Sequence, residues 1–275
     1  MINMQKFFEI TTKRIIFIGK DADSSFWDRK WSSNKYELIK SKVLNTTTNK
    51  FLLHYTRLFL KPCNGIILEG GCGKGSNVMT LIKNKYNCIG IDYAENTVKT
   101  LNKILPNLDI RLGDVRNLDF ESNYFIGYWS LGVIEHYWNG YEKIANEMYR
   151  CLRENGYLFL TFPYMSPLRD IKVKLRLYKN IIASKKPDNF YQFALNYKDV
   201  IKDFKNIGFY FIKKIPFDGI RGIRNEIPFI KTFLDKIMNY QGKNILINIL
   251  NILLSQFLAP IAGHSILLIF KKKIK

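Results

Sequence analysis

The chain has 275 residues, 47% of them hydrophobic, which is enough to bury a core and excludes a disordered chain; the length suits one enzyme domain with insertions. Forty-three lysines and arginines against 23 acidic residues give a net charge of +20 and a pI of about 9.7. Those cations are spread along the chain without an RNA-binding signature, so nucleic acid is not expected as a partner.

The first ten residues, MINMQKFFEI, lack a basic region followed by a long apolar run, and no signal peptide is expected. Residues 1–46 read as a lead segment before the core. Within it Ser25-Phe26-Trp27-Asp28-Arg29-Lys30-Trp31 is aromatic and charged. Trp27 and Trp31 stand at i and i+4 and share a helix face. They either pack a helix onto the core or cover a ligand. From Thr46 to Leu60 the apolar residues Phe51, Leu52, Tyr55, Leu58 and Phe59 follow a helical period behind threonine caps.

The most informative stretch is Ile66 to Asp92. Ile66-Ile67-Leu68 is a short apolar run between turn residues, as a buried parallel strand should be. Gly71, Gly73 and Gly75 follow at alternate positions, where a backbone without Cβ can approach a ligand. A helix after them would point free N–H groups at that ligand. Asp92, about 20 residues on, is placed to accept ribose hydroxyls. The spacing is not that of the dinucleotide fingerprint, because Ser76 stands where its third glycine belongs. Glu69, at the strand end, would repel a pyrophosphate and attract an ammonium.

Glu69-Gly70-Gly71-Cys72-Gly73-Lys74-Gly75 resembles motif I of the class I S-adenosylmethionine-dependent methyltransferases. The likeness continues through Arg111-Leu112-Gly113-Asp114-Val115, through Tyr124 to Ile134 with Glu135-His136 after it, and through Leu152 to Leu160. It covers about residues 47–163 and, more weakly, the C-terminal strands. It implies a doubly wound α/β fold: a mostly parallel seven-stranded, Rossmann-like sheet with an antiparallel edge strand and a helical insert. The cofactor it implies is S-adenosyl-L-methionine, bound by Glu69, Gly71, Gly73, Gly75, Asp92, Tyr93, Asp114, Val115, Ser130 and Leu131. Asp114 would meet the adenine amino group and Val115 the ring. The approach segment around Trp27 is similar to one found in some small-molecule methyltransferases, where it folds over the cofactor. Two positions depart from the pattern. Gly70 replaces a larger apolar residue and is expected to loosen the loop; Lys74 adds a positive charge inside it.

His136 is the candidate general base, since an ordinary imidazole titrates near neutrality; the alternative is a structural histidine capping the next helix. Gly132 replaces the first glutamate of the metal cluster used by related ubiquinone-biosynthesis O-methyltransferases, so no metal is inferred. His54 and His264 read as core or surface residues. Cys63, Cys72, Cys88 and Cys151 show no zinc or disulfide spacing and suit reduced thiols in a cytosol.

Strand five, Gly156 to Phe162, should end at Pro163. Residues 165–187 mix a strand period with a helical one and read as a basic helix. A helix over Asn196 to Asn206, a strand from Phe209 to Ile215 and a last strand from Ser265 to Phe270 complete the sheet. The insert Ile220 to Gly263 contains Asn244 to Leu258, free of charge, with Asn244, Asn248, Asn251 and Ser255 as a narrow polar stripe. Burial with the asparagines facing solvent, contact with a membrane surface, and a membrane span are its three readings. The basic runs Lys172 to Lys186 and Lys271 to Lys273 are either a solvated surface or an attraction for anionic lipid or a phosphate-bearing substrate. The expected domains are a lead segment, 1–46, and a methyltransferase domain, 47–275, with an insert over about 220–263. The expected activity is methyl transfer to a small molecule or glycan, with lipid-linked acceptors included, in the cytoplasm or at the inner face of the membrane. A membrane-associated binding protein that kept the cofactor fold without catalysis is the alternative.

Overall fold

The computed structural model describes residues 4–19, 21–31, 43, 49–238 and 245–274. The chain divides into two compact units. The core unit comprises residues 21–160, 202–212 and 269–275; the accessory unit comprises 1–20, 161–201 and 213–268.

In the core unit, α1 (Ser24–Trp31) is followed by α2 (Lys50–Phe59). Asn49, not a threonine, caps α2, its side chain accepting from the Leu52 N–H at 3.1 Å; Thr46 to Thr48 lie outside the described residues. Then come β3 (Ile66–Gly70), α3 (Ser76–Lys83), β4 (Asn87–Asp92), α4 (Glu95–Ile104), β5 (Ile110–Leu112), β6 (Phe125–Leu131) and α5 (Glu142–Cys151). β7 (Leu152–Pro163), α6 (Pro167–Lys174), β8 (Lys179–Ile181), β9 (Phe190–Ala194), α7 (Tyr197–Ile207), β10 (Phe209–Phe217), α8 (Gly219–Glu226), α9 (Lys231–Met238), α10 (Ile245–Ala262) and β11 (Ser265–Lys272) complete the chain. The seven-stranded sheet has the order β10-β11-β7-β6-β3-β4-β5 and is mostly parallel, with antiparallel strands at its edge. The apolar run Ile67-Leu68 is fully buried in β3, between β4 and β6. Trp129 of β6 stacks on Phe159 of β7 at 4.4 Å and donates its indole N–H to Thr56 Oγ1. That bond satisfies the one polar group of a fully buried ring.

The accessory unit has its own four-stranded sheet, β8-β1-β2-β9, with β1 (Gln5–Glu9) and β2 (Arg14–Ile18) as an antiparallel hairpin. The sequence reading placed no strands in residues 1–46. The basic helix read over 165–187 is α6, and it is shorter: Leu175, Leu177 and Ile182 fall after it and are exposed. What α6 buries is Arg169, whose guanidinium meets the Glu226 carboxylate at 3.0 Å. Glu226 also accepts from Lys6, Lys172 and Tyr178. With three cations around it, its carboxyl overcomes the penalty of burial and is held down at about 2.

The insert is helical. α8 approaches α10 closely through Gly219 and Gly222: a Cβ on Gly222 would lie 1.5 Å from the Ala262 carbonyl oxygen. Asn251 of α10 turns inward and donates to the Ile237 carbonyl at 3.1 Å. Leu250, Leu253, Phe257 and Ile261 face outward. For Asn251 this reverses the buried reading, which had it facing solvent; the side chains of Asn244 and Asn248 lie outside the described residues. Among the described residues no helix is long and apolar enough to cross a membrane.

Candidate cofactor site

The glycine loop leaves β3 with Gly71, Gly73 and Gly75 all at positive φ, and Gly75 is the N-cap of α3. Gly71 needs to be glycine twice over: its φ is +77°, and a Cβ would stand 2.5 Å from Val133 Cγ2. The N–H groups of Gly71 and Cys72 donate to the Ile91 carbonyl at 2.8 and 2.9 Å. Asp92 closes the clasp. Its Oδ2 accepts from the Gly73 N–H at 2.7 Å and its Oδ1 from the Ala94 N–H at 2.9 Å. Burial pushes the Asp92 carboxyl up against these two bonds. The two oxygens carry about four lone-pair sites between them, so the carboxylate can accept a further hydrogen bond.

Asp92 lines a cavity of about 140 Å³, together with Tyr93, Gly71, Gly113, Val115, Leu131 and His136. Apart from Gly113, these are the expected site residues that the fold brings together. Ala22, Trp27, Arg116, Gly132, Val133 and Tyr137 also line it. Trp27 meets the His136 ring edge-on at 5.1 Å. α1 is held here by polar bonds as well. Tyr93 Oη donates to the Ala22 carbonyl, and Asp28 accepts from the Thr97 N–H at 3.0 Å. Asp28 thereby caps α4, whose own N-cap, Ala94, has no side-chain acceptor.

Glu69, Gly73, Gly75, Ser130 and Asp114 do not line the cavity. Glu69 is fully buried; Oε1 accepts from Asn77 at 2.8 Å, and Oε2 has no partner among the described residues. Burial first, and the nearby Asp92 charge after it, push its carboxyl up to about 8. Ser130 Oγ, Tyr128 Oη and Glu135 Oε2 are likewise buried without partners. Burial raises Glu135 to about 8 as well. Tyr128 also accounts for Gly70, since a Cβ there would sit 2.1 Å from the phenol oxygen. The space left by the missing side chain is filled by that ring, so Gly70 does not loosen the loop as expected. Arg116 engages Asp114 in a fork, Nε donating to Oδ1 at 3.0 Å and Nη2 to Oδ2 at 2.5 Å. Burial opposes ionisation of Asp114, but the Arg116 hydrogen bonds and charge outweigh it and hold the carboxyl below its usual range.

His136 ends a 3-10 turn, Ile134–His136, with its N–H donating to the Val133 carbonyl at 3.2 Å. The next helix, α5, starts at Glu142 with Tyr141 as N-cap. Arg116 and Tyr137 were missed. Each directly follows a recognised motif, and nothing in residue type or spacing marked them. Among the described residues no group of three or more His, Cys, Asp or Glu is placed to hold a metal ion.

A family profile for a methyltransferase domain matches residues 68–160, the stretch that supplies the loop, Asp92, Val115 and His136. Residues 68–160 of this chain match a methyltransferase domain, similar to that of S-adenosylmethionine-dependent enzymes. The domain is 31% identical over 119 residues to a probable S-adenosylmethionine-dependent methyltransferase of Mycolicibacterium smegmatis, which is 42% of this chain and 46% of that relative. The chain therefore matches less than half the length of that relative. Among solved structures, a SAM-dependent methyltransferase from Archaeoglobus fulgidus superposes with a TM-score of 0.53 at 16% identity, covering 90% of this chain and 99% of that one. The [4+2]-cyclase SpnF superposes with a TM-score of 0.57 at 12% identity, covering 93% and 99%. At such identities the likeness establishes the fold. The cofactor implied by the methyltransferase domain is S-adenosylmethionine, and the donor set suits it: lone pairs on Asp92 for a ribose, and an unpartnered carboxylate oxygen on Glu69 for a cation.

Proposed function

We propose that the whole protein transfers a methyl group from S-adenosylmethionine to a small-molecule or glycan acceptor, lipid-linked, at the surface of an anionic membrane. The observation that carries the cofactor reading is Asp92, which ties the glycine loop to β4 and still faces the cavity. When bound, the cofactor supplies an electrophilic methyl on sulfur. Asp92 accepts the ribose hydroxyls, Tyr93 and Val115 flank the adenine, and Gly71 and Leu131 line the methionine end. Asp114 serves the adenine amino group with the lone pairs that Arg116 leaves. Glu69 supplies negative charge beneath the loop. The protein accelerates transfer mainly by alignment, and His136 takes the proton of a hydroxyl acceptor.

A cavity of about 140 Å³ is smaller than the ~300–1,000 Å³ of ordinary ligand pockets. α1, with Trp27 on the wall, is our candidate for the part that moves to admit the nucleoside. The domain frame of a lead segment, 1–46, before a methyltransferase domain, 47–275, is retained as a working division.

The membrane reading rests on exposed apolar residues interleaved with cations. Phe229 is 86% exposed and Phe257 76%, and Leu250, Leu253 and Ile261 extend the same character along α10. Leu175, Leu177 and Ile182 are exposed among Lys174, Arg176, Lys179 and Lys185. Such a surface suits insertion at the headgroup level with cations against anionic lipid.

Calorimetric titration with S-adenosylmethionine and with NAD tests the cofactor assignment; binding of NAD alone would overturn it. The fold also carries a cyclase, so turnover is read as S-adenosylhomocysteine released with the candidate acceptor. Its absence with every acceptor tried, with cofactor bound, would favour the binding-protein alternative. The triple substitution Leu250→Glu, Leu253→Glu, Phe257→Glu should abolish sedimentation with anionic vesicles; unchanged sedimentation would remove the membrane reading.

A further inference from the structure

The accessory unit holds a larger cavity, of about 530 Å³, that the cofactor reading does not use. Its walls are of two kinds. Phe8, Met165, Val173, Pro216, Pro260 and Ile266 form an apolar side. Lys13, Lys174, Lys198 and Lys214 stand around it, all on exposed positions, against a single carboxylate, Asp170. Lys174 and Lys198 are the cations whose charge reaches Asp170. Lys214 Nζ donates to Tyr197 Oη at 2.9 Å and lies 4.5 Å from that ring's centre. Four cations and one anion leave a formal charge of +3 on a cavity with an apolar wall.

A rim of lysines would be an ordinary solvated surface without a further observation. That observation is Tyr164. It is 2% exposed, it lines the cavity, and its hydroxyl has no hydrogen-bond partner among the described residues. A buried O–H without a partner costs free energy that an acceptor in the cavity would recover. Phosphoryl oxygens are such acceptors, and the lysines are point charges suited to them. Pro260 belongs to α10, whose Phe257 and Ile261 are exposed apolar side chains on the same helix. The apolar wall is therefore part of an element that also presents apolar surface outside the cavity.

We propose that this cavity binds a phosphoryl headgroup carrying an apolar tail, with Tyr164 Oη and the four lysines on the phosphoryl oxygens and the tail along Phe8, Met165, Val173 and Ile266. The site stands independently of the methyltransferase reading. Asp170 opposes the ligand's charge and tunes affinity downward.

Three water-soluble probes separate the sources of binding: inorganic phosphate, dihexanoyl phosphatidic acid and dihexanoyl phosphatidylcholine, each titrated calorimetrically below the micelle concentration into the full chain. The phosphatidic acid should bind at least tenfold more tightly than phosphate and than the choline lipid, and its affinity should fall with added salt. A Lys198→Gln, Lys214→Gln double variant should lose about tenfold. Tyr164→Phe, which removes one oxygen and no existing bond, should lose several-fold, and Asp170→Asn should gain. Equal binding of the choline lipid, equal binding of free phosphate, or unchanged affinity in the lysine double variant would overturn the proposal. S-adenosylmethionine affinity, measured on the same samples, should be the same in all variants, so failure here and failure of the cofactor assignment are read separately.

Discussion

Glu69 and Glu226 are the same residue in opposite circumstances. Both are almost completely buried. In the accessory unit, Glu226 is saturated: Arg169, Lys6, Lys172 and Tyr178 take its two oxygens, and its carboxyl sits at about 2. In the core unit, Glu69 has only neutral amide donors, the Asn77 side chain and the Val78 backbone, its Oε2 is without a partner among the described residues, and its carboxyl sits at about 8. Burial works against both charges, and what differs is the compensation. The saturated carboxylate holds structure together. The unsaturated one lies beneath a glycine loop among other unpartnered polar atoms, Tyr128 Oη, Ser130 Oγ and Glu135 Oε2, as a site does when its last partner is a ligand.

The sharpest way to break this contrast is Glu226→Gln. It strands three cations without a counter-charge and should cost about 3–5 kcal/mol in urea unfolding. A loss below 1 kcal/mol would show the network to be ornamental. The pH dependence has a definite sign. A carboxyl lowered from its ordinary value to about 2 stabilises the fold fully above about pH 4.5, and the contribution is lost as pH falls toward 2. Acid unfolding of the wild type should therefore be steeper across that window than in the Gln variant.

Asp92→Ala comes next. It removes a cofactor partner and also releases Gly73, and should weaken S-adenosylmethionine by about 1.5–3 kcal/mol, some tenfold to 150-fold. Undiminished affinity in calorimetry would remove Asp92 from the site. Gly70→Ala should then destabilise by about 1–3 kcal/mol through overpacking against Tyr128. Adding Tyr128→Phe should return part of that loss, because the oxygen it deletes is the nearest obstacle and has no partner of its own. Additive losses in the double variant would mean the ring does not fill that space.

The smallest effect is a fraction of a proton. With Glu69 at about 8, the unliganded protein holds that proton at neutral pH. Its stabilising share is full below about pH 4.5 and is lost as pH rises through 8, the reverse of Glu226. Binding an ammonium-bearing cofactor should therefore release part of a proton at pH 7. Calorimetry in buffers of different ionisation enthalpy measures it. Glu69→Gln should abolish the release, and a release unchanged in that variant would assign the proton elsewhere.

The loop of the core unit was legible because its chemistry is local. Strand, glycines, helix and Asp92 fall within 27 consecutive residues, Ile66 to Asp92, and each residue's requirement is set by its neighbours. The accessory sheet was not. β1 and β2 find their partners in β8 and β9, at Lys179–Ile181 and Phe190–Ala194, and no short window shows that pairing. Asp114 was legible as a motif residue, but the claim of Arg116 on its oxygens is a matter of rotamer and reach. The orientation of α10 was misread for a related reason. Its polar stripe was visible, but whether Asn251 faces water or the Ile237 carbonyl depends on α9.

The clasp between Asp92 and Gly73 has a kinetic consequence. A glycine loop free in solution would have to freeze when a nucleoside arrives, and thaw to let it go. Here the loop is already tied to the end of β4 by the carboxylate and by the Ile91 carbonyl, so its ordering cost falls on folding and not on each encounter. Exchange of spent for fresh cofactor need not wait for the loop. On the function proposed above, the slow gate would then be α1 and the residue before it, the wall built from Ala22, Trp27 and the Asp28 cap.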